Sequence, residues 1–271
     1  MTPFIRYLNW NPSPFVKASM ILHLGAIMLA LWHPGLWLWS VSAVIFNHLL
    51  FTAAGLWPRS TVLGPNMLRL PPAAAQRGEV AITIDDGPDP EVTPQVLDIL
   101  DRHNAKATFF CIGILAERHP ELCHEIIRRG HAIENHSQHH SVLFSLFGPL
   151  KMRREVQHAQ DTLTRITGQP PHFFRPSAGL RNPFLDPALA HIGLQLVSWS
   201  RRGFDTQETN PDVVLKKLSQ GLSGGDILLL HDGNAARTPH GTPVILDVLP
   251  RLLDNIAQAK LHTVTLRTAL T

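Results

Sequence analysis

Two adjacent carboxylates, Asp85 and Asp86, and a histidine pair, His136 and His140, are the side chains here whose types and spacing suit chemistry. One carboxylate and two imidazoles hold a divalent cation on one face and leave positions open for water and substrate. Spaced by four, His136 and His140 share a face if their segment turns helically, and Asp86 can complete the set. Asp85 then lies beside the water that the cation acidifies, which suits a general base. Attack on an acyl carbonyl generates an oxyanion and needs an acid for the leaving amine; His231 is the natural one. His139 is the alternative to His140 as a ligand. Singly, each feature has a plainer reading: Asp-Asp-Gly-Pro as a turn, His-x-x-x-His as a surface or core pair, Arg175 and Asp205 as salt-bridge residues. Their joint placement argues against a purely structural reading.

That placement comes from the elements around them. From Glu79 onward, apolar strand-like runs alternate with helical spacing. Val80–Ile84, Ala107–Ile112, Ala132–Asn135, Phe173–Phe174, Gln195–Ser200, Asp226–Leu230 and His262–Leu266 read as strands. Val92–His103, Pro120–Arg129, Leu150–Thr167, Pro187–Ile192, Asp212–Leu222 and Pro243–Lys260 read as helices. Such alternation implies parallel pairing, and about seven units in one domain favour a closed barrel. In such a barrel the loops after the strands carry the site. Asp85 and Asp86, His136–His140, Arg175, Asp205 and His231 all fall at those places.

Upstream the composition changes. Between Phe15 and Trp57 the only charged side chain is Lys17. Ser19–Trp32 and Gly35–Trp57 are apolar runs separated by His33-Pro34-Gly35, and the second is long enough to span a hydrocarbon core of about 30 Å. Tryptophans 10, 32, 37, 39 and 57 fall where interfacial belts would lie. The reading is a transmembrane helical hairpin over residues 1–57, a Pro/Ala-rich linker over 58–78 and a catalytic barrel over 79–271. A cleaved signal peptide is the plainer alternative, opposed by the longer apolar run that follows at once. Arg6 and Lys17 before the hairpin and Arg59, Arg69 and Arg77 after it place both ends in the cytoplasm. His23, Asn47 and His48 are costly in lipid and are expected to pair between the helices. The chain as a whole is 17% charged with a net charge of +3, and no basic run interleaved with aromatics points to nucleic acid. Two cysteines, Cys111 and Cys123, make neither a disulfide framework nor a Cys-rich zinc site.

Residues 79–267 resemble the NodB-type polysaccharide deacetylases, carbohydrate esterase family 4. Five stretches carry the resemblance in order: Thr83–Gly87 (TIDDG), His136–His140 (HSQHH), Arg175–Gly179 (RPSAG), Asp205, and Leu228–Asp232 (LLLHD). The resemblance implies a distorted (β/α)7-type barrel and a divalent metal, zinc in most members, with Co2+, Ni2+ or Mn2+ as substitutes. It implies Asp86, His136 and His140 as ligands, Asp85 as base and His231 as acid. Arg175 is implied to orient the base, Asp205 to stand near the acid, and the Ala178 backbone amide to bind the oxyanion. Two departures stand out: Ser177 and Ala178 replace a proline–aromatic pair, and Thr206 replaces a tryptophan. Those aromatics line sugar grooves in the family, so their absence argues against a long polymer as substrate.

The expected substrate is therefore an N-acylated amino sugar, acetylated or formylated, carried on a membrane lipid such as a polyprenyl phosphate or glycolipid. It would be met at the cytoplasmic face of the inner membrane. Ser141–Leu150 is apolar and is followed by Lys151, Arg153 and Arg154, as in a segment that dips into lipid; an ordinary buried barrel helix is the alternative. Arg201, Arg202 and Arg237 are candidates for a phosphate linker. The alternatives are a periplasm-facing deacetylase of an envelope polysaccharide and a non-catalytic glycan-binding membrane protein.

Overall fold

A computed structural model describes residues 10–271; Arg6 lies outside the described residues. Two apolar helices open it, α1 (Pro14–Trp32) and α2 (Trp37–Leu56), broken by a single helical turn at Pro34–Leu36. Each helix is long and apolar enough to cross a membrane, and most of both surfaces is uncovered. The polar groups within them pair as expected. Asn47 Nδ2 donates to Ser19 Oγ at 2.7 Å, and His23 Nε2 lies 3.4 Å from His48 Nε2.

The expected linker is not slack. Leu63, Leu70 and Ala74 are buried, and α3 (Pro72–Gln76) packs in the core beside Val197 and Trp199. Met67 bridges to Val197, and Arg69 pairs with Asp226 at 2.6 Å. Proline-rich composition marks extended chain, and extended chain docks along a sheet edge as readily as it dangles.

The remaining elements are β1 (Glu79–Asp85), α4 (Thr93–Arg102), β2 (Ala107–Cys111), α5 (Gly113–Arg118), α6 (Pro120–Arg128), β3 (Ala132–Asn135) and α7 (Pro149–Thr167). They continue with β4 (Phe173–Phe174), α8 (Leu185–Ile192), β5 (Gln195–Leu196), β6 (Arg201–Arg202), α9 (Pro211–Ser219), β7 (Ile227–His231), α10 (Val244–Gln258) and β8 (His262–Thr263). β1 and β7 are buried at every residue, as expected for parallel strands covered on both faces. The strands run β5-β4-β3-β2-β1-β7-β6, with β8 on the start of β1, and all pairs are parallel.

The curl does not close by hydrogen bonds between β5 and β6. Gln195–Ser200, expected as one strand, pairs with β4 at Gln195 and Leu196. It then bends, so that Ser200 N–H donates to Ile227 O at 3.0 Å on the other edge. One segment thus bridges both edges of a distorted half-barrel. The main core, from Ile82 and Ile84 through Phe109 to Leu228, Leu230 and Leu252, lies between the sheet and the helices α4, α6, α9 and α10.

Candidate active site

Register sets the site. Asp85 stands opposite His231 in the β1–β7 ladder, and Asn135 stands opposite Phe174 in β3–β4. The carboxyl ends of β1, β3, β4 and β7 therefore deliver Asp85, His136, Arg175 and His231 to one level of the sheet. Asp85, His136 and His231 line a cavity of about 250 Å³ together with Asp86, His140, Ala178, Gly179, Trp199, Arg202 and Asn234.

Asp86 Oδ1 lies 3.1 Å from both His136 Nε2 and His140 Nε2, and one ligand atom from each of the three lies within 4.8 Å of the others. His136 Nδ1–H donates to the Arg175 carbonyl at 2.7 Å, so Nε2 is the nitrogen turned to Asp86 and the one offered to a cation. Burial opposes the Asp86 charge, yet the hydrogen bond and charge of His136, with His231 and His140, hold its carboxyl well below the usual range. The donor set fits a divalent cation: nitrogen and oxygen donors converge, and the His136 tautomer is already fixed.

The route to this convergence differs from the one expected. Residues 136–140 form no helical turn; Ser137 (φ 66°) and His140 (φ 51°) are left-handed, and the Ser137 hydroxyl accepts the His140 N–H at 3.1 Å. His139 turns outward to Glu155, with its Nδ1 at 3.0 Å from Oε2, so His140 rather than His139 faces Asp86.

Arg175 is fully buried. Its Nη1 donates to Asp85 Oδ1 at 2.6 Å and to Thr83 Oγ1 at 2.9 Å, while Nε and Nη2 reach the carbonyls of Val197 and Ser198. The guanidinium also lies 4.1 Å above the Phe110 ring centroid. Such a fork holds one Asp85 oxygen rigidly. The other oxygen, Oδ2, lies 3.8 Å from His136 Nε2.

Asp205, buried completely, takes His231 from two sides: Nδ1–H donates to Oδ1 at 2.9 Å and the backbone N–H to Oδ2 at 2.7 Å. Burial disfavours the imidazolium, but Asp205's charge and hydrogen bond, with Asp85 and Asp86 nearby, outweigh it and hold His231 protonated up to about 9. With Nδ1 committed to Asp205, the transferable proton is on Nε2.

Ala178 sits exposed on the cavity wall at φ 54°. Of the three arginines expected near a phosphate, only Arg202 lines this cavity. Arg201 is engaged by Asp226 at 2.5 Å and by the carbonyls of Gln220 and Gly221. Arg237 is held by Glu91 at 2.9 Å and by the Gly241 carbonyl. Sequence reasoning missed Asn234, whose Nδ2 donates to Asp86 Oδ2 at 3.2 Å; its place three residues after His231 was the available signal. It also missed Trp199, an aromatic wall for the cavity despite the absence of aromatics at 178 and 206.

Residues 73–197 match the family model for polysaccharide deacetylases. A peptidoglycan-N-acetylglucosamine deacetylase of Bacillus cereus is 34% identical over 175 residues, covering 64% of this chain and 81% of that one. A chitooligosaccharide deacetylase of Azorhizobium caulinodans is 35% identical over 159 residues, covering 58% and 75%. Against the peptidoglycan deacetylase PgdA of Listeria monocytogenes the match spans only 36% of the relative. Among solved structures, a family 4 carbohydrate esterase from Streptomyces lividans, in complex with acetate, superposes with a TM-score of 0.62 at 28% identity, covering 69% and 91%. A pseudoenzyme of the same family from Bacillus anthracis, 20% identical with a TM-score of 0.68, covers 76% and 69% and shares the fold. Fold and site together define a metal-dependent carbohydrate N-deacetylase. The chain belongs to the NodB-type polysaccharide deacetylases, carbohydrate esterase family 4.

Proposed function

We propose that this enzyme removes an N-acyl group, acetyl in the first instance, from an amino sugar carried on a membrane lipid, working at the cytoplasmic face of the inner membrane. One observation carries the lipid-linked reading: the end of the apolar hairpin is built into the rim of the catalytic cavity. Arg181 N–H donates to Gly55 O at 3.1 Å, and Ser198 Oγ donates to Pro58 O at 2.8 Å. A Cβ on Gly179, a cavity-wall residue, would stand 2.7 Å from both Pro58 and Trp199. With the hairpin in the bilayer, the cavity opens at headgroup level, where a lipid-borne sugar is presented.

Asp86, His136 and His140 are the residues assigned to the cation, with Zn2+ favoured by the mixed nitrogen and oxygen donors and Co2+, Ni2+ or Mn2+ acceptable. A bound cation supplies Lewis acidity, acidifying water and polarising the acyl carbonyl. Asp85, aimed by Arg175, takes the proton of the attacking water. The Ala178 amide is the donor assigned to the charge that develops on the carbonyl oxygen. His231, oriented by Asp205, gives its Nε2 proton to the leaving amine.

Because an acid must be protonated to act, activity falls as pH rises through the His231 pKa. Asp205→Asn removes the charge that raises that pKa, so the alkaline limb of the kcat/KM profile is expected to move to lower pH by more than about one unit. A limb that stays in place would remove His231 from the acid's role.

The expected lipid-dipping segment supports the same reading. Val142 is 87% exposed and Leu146 76%, with Leu143 and Leu150 also open, while Phe144 and Phe147 anchor the segment inside. Asn182 Nδ2 ties it, through the carbonyls of Ser145 and Phe147, to the loop that holds the hairpin. Replacing Leu143 and Leu146 together by serine costs no core packing and is expected to slow turnover of substrate presented in vesicles roughly tenfold, leaving a soluble N-acetylated oligosaccharide unaffected. Equal slowing of both would assign the segment to the fold.

Mass spectrometry of polyprenyl-linked and glycolipid pools, with and without the gene, tests the function itself: one species should gain an acyl mass on deletion, and unchanged pools would defeat the reading. The second reading, a periplasm-facing deacetylase of an envelope polysaccharide, is favoured by Trp199 as a sugar-stacking wall and by the substrates named for the relatives. A compartment-sensitive reporter fused to the C-terminus separates the two; periplasmic reporter activity would select the second. The complete set of Asp85, Asp86, His136, His140 and His231 speaks against a third reading, glycan binding without turnover.

A further inference from the structure

A second cleft, of about 510 Å³, lies between the end of α2 and β6. It shares Trp199 and Arg202 with the catalytic cavity, so the two open on the same arginine. Among the described residues four cations line it, Arg59, Arg201, Arg202 and Lys217, and no carboxylate does. Their availability differs. Arg201 is consumed by Asp226 and two carbonyls. Among the described residues Arg59 donates only to the Ser200 carbonyl, at 3.4 Å, and Lys217 meets Glu208 loosely at 3.8 Å.

Arg202 is the distinctive one. Its guanidinium carbon lies 5.3 Å from the Trp199 ring centroid and 4.9 Å from that of Phe204. Its Nε is buried without a hydrogen-bond partner among the described residues. Rings hold an arginine flat without neutralising it, and a flat arginine with free donors matches a phosphate's oxygens. An unmet buried donor is costly, and an acceptor that reaches it relieves that cost.

We propose that this cleft seats the phosphate of the substrate's lipid carrier, with Arg202 as the residue that reads it and Arg59 and Lys217 as supporting charges. The proposal deepens the lipid-linked reading given above and rests on it. Trp57, at the foot of α2, forms part of the same lining, and a tryptophan in that position marks headgroup depth in a bilayer. The prenyl chain of a polyprenyl phosphate would then run back along the hairpin while its sugar occupies the catalytic cavity. Specificity between lipid-linked and free sugars would be decided outside the metal-ligand set.

The test is a binding measurement on the full-length protein in detergent micelles, with farnesyl phosphate, farnesol and inorganic phosphate as probes. Farnesyl phosphate is expected to bind more tightly than either of the others. Arg202→Met should weaken it at least about tenfold, Arg202→Lys should restore part of the loss, and Arg165→Met, a surface charge on α7, should change nothing. Lys217→Gln, away from the catalytic cavity, should weaken it by a smaller factor, so the proposal stays open to test even if Arg202→Met folds poorly. Equal binding of farnesyl phosphate by wild type and both variants, or equal binding of farnesol, would overturn the site. Equal affinity for inorganic and farnesyl phosphate would overturn the lipid source and place the phosphate on a soluble sugar. The measurement involves no turnover, so unchanged lipid pools on gene deletion would defeat the function while leaving this result readable.

Discussion

Asp86→Ala is expected to yield folded protein without stoichiometric metal and with kcat lower by roughly three orders of magnitude or more. The reason is geometric. Asp86 Oδ1 is the atom that both imidazoles face at 3.1 Å, so its loss removes the only anionic donor and the point on which the others converge. Asp86 also has φ 74°, a left-handed value that alanine bears poorly and asparagine tolerates. Asp86→Asn therefore serves as the partner variant, keeping the backbone while exchanging a carboxylate for a weak neutral ligand. Both variants should lose metal by elemental analysis. If the alanine variant kept one tightly held ion per chain, Asp86 would not be a ligand.

Asp85→Asn should do the opposite: metal retained, kcat lower by about two to four orders of magnitude, the range for loss of a positioned general base. The amide oxygen can still accept from Arg175 Nη1, so the geometry persists. What disappears is the capacity to take a proton, together with the counter-charge for a fully buried guanidinium. Leaving that charge unpaired costs about 3–5 kcal/mol, so a fall in Tm should accompany the loss of rate. Activity must be compared at temperatures where both proteins are folded. A variant with full metal and near-normal kcat would take Asp85 out of the chemistry altogether.

Much of this was legible because parallel β/α architecture puts chemistry at one repeated address, the residue after an apolar strand. β2 and β7 are nearly continuous apolar runs, β1 and β3 shorter ones ending in polar residues, and each was found within a residue or two of its bounds. The polar residue that ends each of β1, β3, β4 and β7 proved to line or support the cavity. The parts that were not legible depend on contacts across the chain. Nothing local in Gln195–Ser200 announces that it leaves one sheet edge for the other. Nothing local distinguishes Arg202, which is stacked on rings, from Arg201, which is spent on Asp226 more than twenty residues away. The spacing of His136 and His140 suggested a helical turn that does not form; left-handed residues in the loop bring the two imidazoles together.

The packing of residues 58–78 against the sheet edge reaches beyond architecture. An enzyme on a slack tether samples a hemisphere of solution above its membrane, whereas one whose stalk is laid down keeps its mouth at a single elevation. With its hairpin embedded, this protein would diffuse in two dimensions with its cavity fixed toward the lipid. For the lipid-linked substrate proposed above, its rate would follow the mole fraction of substrate in the bilayer, and diluting the vesicles in buffer would leave it unchanged.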